Sequence, residues 1–298
     1  MKRIIFFGAR GFIGNLFLEH LKKLLKYEIV IPDHDIRPEN YELTRMFIAE
    51  NLKPETEICI LSMIGRTHGP GPGNNSIDYL EPRDKLPINI RDNFLAPIHL
   101  ARIADEFNIQ YVYLGTGCIF QYSSPENKDI FSETDTPNFF GSCYSILKGF
   151  TEQELKTYKN VLQLRIRMPI VPFSHPRNFI DKIVSYPKIV SIENSMTVLT
   201  DMFPIIESMI ETNELGVYNM TNPGTVTHDW ILKKYKELVD FELRDWELVQ
   251  SNGLDLKSER SNNHLDTTKL ENYCLKHGLK LDSIKDSIEN NVLRPFSK

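Results

Sequence analysis

Apolar positions change their period repeatedly along the chain. "RIIFF" (residues 3–7) and "EIVI" (28–31) are short apolar runs rich in β-branched and aromatic residues, and they predict strands. Between them, "IGNLFLEHLKKLL" (13–25) repeats apolar residues at helical spacing. The alternation continues with "YELTRMFIAENL" as a helix, "EICILSM" as a strand and "NIRDNFLAPIHLARIADEF" as a long amphipathic helix. Then come "QYVYLGT" as a strand, "YSILKGFTEQELKTY" as a helix and "VLQLRIR" as a strand. Strands alternating with helices imply an α/β fold, a doubly wound parallel sheet covered on both faces. After Met168 and Pro169 the alternation loosens. The tail carries helical patterns, "HDWILKKYKELV" and "DSIKDSIENNV", that predict a smaller C-terminal lobe. The division expected is 1–168 as a nucleotide-binding domain, with return segments near 197–222, and 169–298 mainly as a substrate-binding lobe.

Two stretches break the pattern. "THGPGPGNNS" (67–76) is too rich in glycine and proline for regular structure. "QYSSPENKDIFSETDTPNFFGS" (121–142) is long and polar, which in a compact domain predicts a functional loop.

Composition narrows the classes. The 298 residues suffice for a sizeable core, and the net charge of −5 gives no bulk reason to bind nucleic acid or an anionic membrane surface. No apolar run reaches the roughly 20 residues a membrane-spanning helix needs. The opening "MKRIIFFGARGFIG" has a basic pair before an apolar run, but glycine and arginine interrupt it at once, so it reads as a first strand. Cys59, Cys118, Cys143 and Cys274 are scattered and form no CxxC pair. They read as reduced thiols of a cytoplasmic protein. The histidines show no paired metal spacing, and no metal is expected.

Chemistry concentrates at two places. "FFGARGFIGNLF" sets Gly8, Gly11 and Gly14 between the first strand and first helix, a GxxGxxG variant of the dinucleotide fingerprint. Glycines let the backbone approach a pyrophosphate, and the helix start offers N–H groups and positive dipole. The candidate cofactor residues there are Gly8, Arg10, Gly11, Phe12, Ile13 and Gly14, with Ser62 ending the third strand. Arg10 suits an adenosine 2′-phosphate, which selects NADPH. After the second strand, "PDHDIRPEN" carries both signals: Asp33 and Asp35 suit the ribose hydroxyls of NAD, and Arg37 suits a phosphate. With Arg10 added, NADPH is the expected cofactor.

The second place is "SCYSILKG", which sets Tyr144 and Lys148 four apart on a helix and so on one face. Thr116 ends the preceding strand, and ligands bind at the carboxyl ends of strands in such sheets. An ammonium close to a tyrosine favours the phenolate. Tyr144 is then suited to protonate a carbonyl oxygen as hydride arrives, with Thr116 hydrogen-bonding the same oxygen.

GxxGxxG, Thr116 and Tyr144-x-x-x-Lys148 together resemble the extended short-chain dehydrogenase/reductases, whose nucleotide domain is Rossmann-type. Further runs narrow the resemblance: "GTGCIFQY", "NFFGSCYSILK", "LRIRMP", "PRNFIDKI", "ENSMTVLTDMFPI", "TNPGTVTH" and "RSNNHLDTTKL". In this order they resemble the bifunctional 3,5-epimerase/4-reductases that make UDP-L-rhamnose, of plant and giant-virus type. The resemblance spans nearly the whole chain and is strongest from Gly115 to Leu270. It implies a UDP-linked 4-keto-6-deoxy sugar as substrate, NADPH, a homodimer, and a pathway link to a UDP-glucose 4,6-dehydratase. Cys118 and Lys182 then form the acid–base pair for epimerisation, with His175 as a rival partner for Cys118. The chemistry needs such a pair, because carbons 3 and 5 flank a ketone and inversion removes a proton on one face and delivers one on the other. Asn178 and Arg260 match as substrate ligands, Arg260 suiting a diphosphate. Asn93 matches a helix asparagine of the superfamily, and Cys143 is expected to pack. The sequence departs from the plant pattern at "IGRTHGPGPGNNSIDYLEP" and at "GARG" in the first loop. Two other readings remain open: a reductase without epimerase activity, and a non-catalytic nucleotide-binding regulatory subunit.

Overall fold

A computed structural model describes residues 1–71, 74, 76–124, 127–250 and 253–296. Pro72, Gly73 and Asn75 of the glycine/proline stretch, and Pro125 and Glu126 of the long polar loop, lie outside the described residues. In chain order the elements are β1 (Lys2–Phe7), α1 (Phe12–Leu24), β2 (Tyr27–Val30), α2 (Tyr41–Glu50), β3 (Ile58–Ser62), α3 (Leu86–Ile90), a π-helical turn (Arg91–Leu95), α4 (Ala96–Glu106) and β4 (Gln110–Thr116). There follow β5 (Ile130–Phe131), α5 (Cys143–Leu155), β6 (Val161–Ile166), β7 (Pro169–Ile170), α6 (Phe179–Val184), β8 (Lys188–Ile189), β9 (Thr197–Val198), α7 (Leu199–Glu211) and β10 (Gly216–Asn219). The chain closes with α8 (His228–Leu238), β11 (Glu247–Leu248), β12 (His264–Leu265), α9 (Thr268–His277) and a last helical run over 284–296.

Six strands form one parallel sheet in the order β2-β1-β3-β4-β6-β10. Its chain-first strand lies between β2 and β3, in the register Arg3 with Glu28 on one side and Arg3 with Ile58 on the other. The strand order reverses between β1 and β3, the place where open α/β sheets bind ligands beyond their strand ends. The five strands expected from the sequence are observed as β1, β2, β3, β4 and β6, in a sheet whose two faces are covered by helices; the sixth, β10, was not expected from the sequence. On one face, Ile5, Phe7, Ile60, Tyr111 and Tyr113 join Ile48, Leu100, Ile103 and Leu155 in a single core. On the other, Phe6 meets Phe17 of α1 edge to face, with centroids 6.3 Å apart.

Contact clustering divides the chain into two compact units. The first comprises Met1–Gly115, Cys143–Leu164 and Ile206–Tyr218, and the second Thr116–Ser142, Arg165–Ile205 and Asn219–Lys298. The second unit has its own cores. One gathers Ile170, Ile180, Ile231, Leu232, Ile284 and Leu293, and a smaller one gathers Ile119, Phe120, Phe131 and Leu265. No helix of the described residues is long and apolar enough to cross a membrane. Among the described residues no group of three or more metal-ligating side chains gathers.

Candidate active site

The residues singled out in the sequence divide between the two units. In the first unit, the glycine loop joins β1 to α1 at the sheet's reversal point. Gly8 has φ +83°, and a Cβ there would lie 2.7 Å from the Met63 carbonyl carbon and 2.8 Å from the Ile64 nitrogen. A Cβ on Gly14 would lie 2.1 Å from the Gly8 oxygen. Both positions therefore require glycine, one for conformation and close approach, the other for the fit of helix against loop. Gly11 caps α1 without a side-chain partner, and the first turn, with Phe12, Ile13 and Gly14, carries no acidic residue. Ser62, fully buried at the end of β3, accepts a hydrogen bond from the Ile64 N–H (3.4 Å).

Arg10 is exposed at the loop and donates to the carbonyl of Pro32 (2.9 Å), which anchors its guanidinium just beyond β2. Asp33, Asp35 and Arg37 are exposed on the same connection. The Arg37 side chain donates to the carbonyl of His34 (3.1 Å). The two signals read from this segment thus differ in anchoring: Arg10 is tied to the end of β2, and Arg37 to its own turn.

Helix α5 carries Tyr144 and Lys148 on its buried face. The α5 N-terminus is capped across the chain by Glu81, whose carboxylate accepts from the Cys143 N–H (3.0 Å). The Cys143 thiol is pushed up, by burial first and by Glu81 second, which disfavours its thiolate. Lys148 donates to the hydroxyl oxygen of Tyr113 (2.7 Å), and its Nζ lies 5.9 Å from the Tyr144 ring centroid. Burial lowers the Lys148 ammonium to about 7, against a smaller opposing pull from Asp92. Burial alone would raise the Asp92 carboxyl, but Arg91 and Arg66 outweigh it and hold it below the usual range.

The long helix read over residues 89–107 is two α-helices joined by the π-helical turn, and that turn carries Asn93. Asn93 is fully buried. Its side chain accepts from the Arg66 N–H (3.0 Å) and donates to the Arg66 carbonyl (2.9 Å) and to Asn89 (2.8 Å). Its own carbonyl accepts from Thr151 of α5 (2.7 Å). Asn93 therefore staples the segment after β3 to α5. On that segment, a Cβ on Gly65 would sit 3.4 Å from Lys148 Nζ, so glycine leaves the space over the ammonium open.

In the second unit, Thr116 is buried, and its Oγ1 accepts from the Cys118 N–H (3.1 Å). The turn between them is tight: a Cβ on Gly117 would lie 2.5 Å from Leu265 and 3.0 Å from Arg167. Cys118 is half-buried. Helix α6 carries Lys182, whose ammonium is lowered by burial and then by Arg177. His175 is also lowered, mainly by burial, and its Nδ1 accepts from the Arg177 N–H (3.0 Å). Asn178 is fully buried at the start of α6. Its amide accepts from the Val171 N–H (3.2 Å) and faces the carbonyls of Val171 and Phe173 and the Asp181 carboxylate (2.6 Å). Those contacts tie its side chain to its own loop. Arg260 donates to the carbonyl (2.9 Å) and hydroxyl (2.8 Å) of Ser258.

Three residues with structural weight were not singled out in the sequence. Arg165 and Arg167 are fully buried, and each guanidinium is held by backbone carbonyls and amide side chains. Arg165 holds the carbonyls of Ser132 and Glu133 and the side chain of Asn219. Arg167 holds Asn194, Ser261 and Asn263. Two arginines in the strand pattern "LRIRMP" were the available signal. The third, Tyr113, left no signal, since a strand tyrosine reads as core.

No family model matches the chain. It is 42% identical over 276 residues to protein L780 of Acanthamoeba polyphaga mimivirus, covering 91% of this chain and 92% of that one. The crystal structure of the L780 UDP-rhamnose synthase superposes with a TM-score of 0.89 at 38% identity, over 98% of this chain and 99% of that one. A bifunctional dTDP-4-dehydrorhamnose 3,5-epimerase/dTDP-4-dehydrorhamnose reductase of Arabidopsis thaliana is 43% identical over 232 residues, 76% of this chain and 75% of that protein. A trifunctional Arabidopsis protein that adds a UDP-glucose 4,6-dehydratase is 39% identical, and the match spans 34% of its length. The dTDP-4-dehydrorhamnose reductase of Yersinia enterocolitica, at 19% identity and a TM-score of 0.78, shares the fold.

Proposed function

Because the chain belongs to the nucleotide-sugar epimerase/reductases of rhamnose biosynthesis, we propose that it converts UDP-4-keto-6-deoxy-D-glucose into UDP-L-rhamnose. The proposed course is epimerisation at carbons 3 and 5, then reduction at carbon 4 with NADPH. The observation that carries the reading is the pair on α5. Lys148 is buried with an ammonium lowered to about 7, one helical turn from Tyr144 and on the same face. A buried lysine so placed is out of keeping with packing alone and suits a group that tunes a neighbouring acid.

The glycine loop fits a dinucleotide, because Gly8 and Gly14 leave backbone where a side chain would stand. Gly8, Arg10, Gly11, Phe12, Ile13, Gly14 and Ser62 are the residues proposed to hold NADPH, with Arg10 taking the 2′-phosphate and Asp35 and Arg37 flanking it. Bound there, NADPH supplies the hydride for carbon 4. Tyr144 gives its phenolic proton to the ketone oxygen, so one C–H and one O–H bond form. Lys148, as the ammonium, stabilises the phenolate left behind. Thr116 is proposed to orient the same oxygen by its hydroxyl.

For epimerisation, Cys118 and Lys182 are proposed as the two proton-transfer groups. Burial and Arg177 lower Lys182, which makes a neutral amine accessible at lower pH than for an exposed lysine. His175, also lowered, is the rival for that role. Arg260 is proposed to meet the diphosphate, and Asn178 to act by holding the loop that leads into α6, the helix that carries Lys182. A 4-ketone substrate has to be supplied by a dehydratase, the activity joined to the related domain in the trifunctional Arabidopsis proteins.

The test is incubation of the purified protein with UDP-4-keto-6-deoxy-glucose and NADPH, with the product sugar identified by NMR. L-Rhamnose linked to UDP is expected. A D-configured 6-deoxy sugar would mean reduction alone, and no NADPH oxidation would mean a regulatory role.

A further inference from the structure

Lys148 is reached by more than Tyr144. Tyr113 stands on β4, fully within the first unit's core, and its hydroxyl oxygen is 2.7 Å from Lys148 Nζ. A lysine has a long flexible stem and an ammonium with three donors that point nowhere in particular. A tyrosine on a central strand is the opposite: its ring is fixed by packing on both sides. Gly115 keeps the ring's slot open, since a Cβ there would stand 3.3 Å from Tyr113 Cε1. We propose that Tyr113 is a positioning residue for Lys148, its phenolic oxygen accepting a hydrogen bond from the ammonium and so holding the charged lysine in place for Tyr144. The proposal rests on the reading of Tyr144 and Lys148 as the reductase pair.

Tyr113 suits this role because it stays neutral. Burial, with smaller contributions from Tyr111, Tyr144 and Glu152, pushes its hydroxyl well above the usual tyrosine range. It therefore acts as an acceptor and never as a counter-anion. Asp92 and Glu152 are the carboxylates that act on the pair among the described residues. Asp92 in the π-helical turn favours the ammonium, but it is bound to Arg66 (2.5 Å) and Arg91 (2.7 Å). Glu152, four residues along α5, pairs with Lys156 (3.3 Å). A hydrogen bond made to the charged form favours that form. Removing the Tyr113 hydroxyl should therefore release the lysine proton more readily.

The direct test uses the cofactor-free protein. Lysine side chains are isotope-labelled, and the Lys148 signal is assigned by its loss in Lys148→Met, which separates it from Lys182. Tyr113→Phe should move the Lys148 titration about one pH unit lower, a tenfold loss of proton affinity, as expected when a charged hydrogen bond is deleted. Tyr111→Phe removes a hydroxyl from the same strand face and should leave the titration where it is. In the wild-type protein, Lys148 side-chain protons should show a nuclear Overhauser contact to the Tyr113 ring, which keeps the idea testable if the phenylalanine variant fails to fold. In the NADPH-loaded enzyme, Tyr113→Phe should shift the upper pH limb of kcat downward by about the same unit, with KM for NADPH little changed. An unmoved Lys148 titration in Tyr113→Phe, or no Overhauser contact in wild type, would overturn the role of Tyr113. Full reduction by Tyr144→Phe would instead overturn the reductase reading, and the titration of Lys148 would still decide the Tyr113 contact by itself.

Discussion

Gly14 of α1 packs so closely on Gly8 that a Cβ would meet the Gly8 oxygen at 2.1 Å. The obstacle is backbone, so no side-chain rotation relieves it. Gly14→Ala is expected to push α1 away from the loop and to cost about 1–3 kcal/mol of stability, the usual range for overpacking. The displaced helix start should also weaken NADPH binding. Thermal unfolding with and without NADPH measures both. An alanine variant with unchanged melting temperature and cofactor affinity would contradict the packing.

Tyr144→Phe removes the proton donor and almost no volume. Reduction should fall by about a hundredfold to ten-thousandfold, the usual contribution of a positioned general acid. NADPH affinity, followed by fluorescence, should hold. Turnover like that of the parent enzyme would exclude Tyr144 as donor.

Arg10 is fixed to the carbonyl of Pro32 at 2.9 Å, beyond the end of β2. Arg10→Ala should shrink the preference for NADPH over NADH by about tenfold, the loss of one charged hydrogen bond. Steady-state kinetics with both cofactors gives the ratio. If the ratio does not move, the acidic residues Asp33 and Asp35 become the better determinants.

Cys118→Ser keeps the shape of the side chain but replaces a thiol by a hydroxyl that hardly ionises. Epimerisation should fail while carbonyl reduction survives, because the two half-reactions ask for different groups. The reaction run in deuterated water, with wash-in at carbons 3 and 5 read by NMR, separates them. Wash-in unchanged from the parent enzyme at both carbons would make Cys118 a packing residue and pass the proton chemistry to Lys182 or His175.

Lys182 gives a pH test with a definite sign. Burial and Arg177 lower its ammonium from the ordinary lysine value. A base must be neutral to act, so wash-in should rise with pH through the lowered Lys182 titration, below that of an exposed lysine at about 10.4. In Lys182→Met that rising limb should vanish. A limb that persists there would pass the role to His175.

Much of the first unit was legible in the chain. β1, β3 and β4 each centre on a continuous apolar run because helices cover both faces of the sheet, and such runs need no knowledge of partners. Tyr144 and Lys148 were legible for a related reason: a spacing of four on a helix puts them on one face whatever surrounds them. Gly8, Gly11 and Gly14 announced a loop between strand and helix. α7 was not read in advance, and neither was the π-helical turn within the long helix that packs Asn93 against Arg66. α7 has Pro204 in its interior, and the strands β7 and β9 before it are two residues each, too short to show a period.

The sequence by itself thus determined the elements whose pattern is local: the alternating strands and helices, the glycine turn, and the shared face of Tyr144 and Lys148. Only the tertiary structure decided which distant groups meet. It grouped residues 116–142 with the second unit, and it buried Arg165 and Arg167 on carbonyls and amides supplied by other segments. It also set Tyr113 against Lys148, 35 residues further on. Period and propensity act over a few residues, whereas a hydrogen bond between a strand and a helix depends on how the whole sheet stacks. A tyrosine in an apolar run looks the same whether its hydroxyl meets an ammonium or nothing.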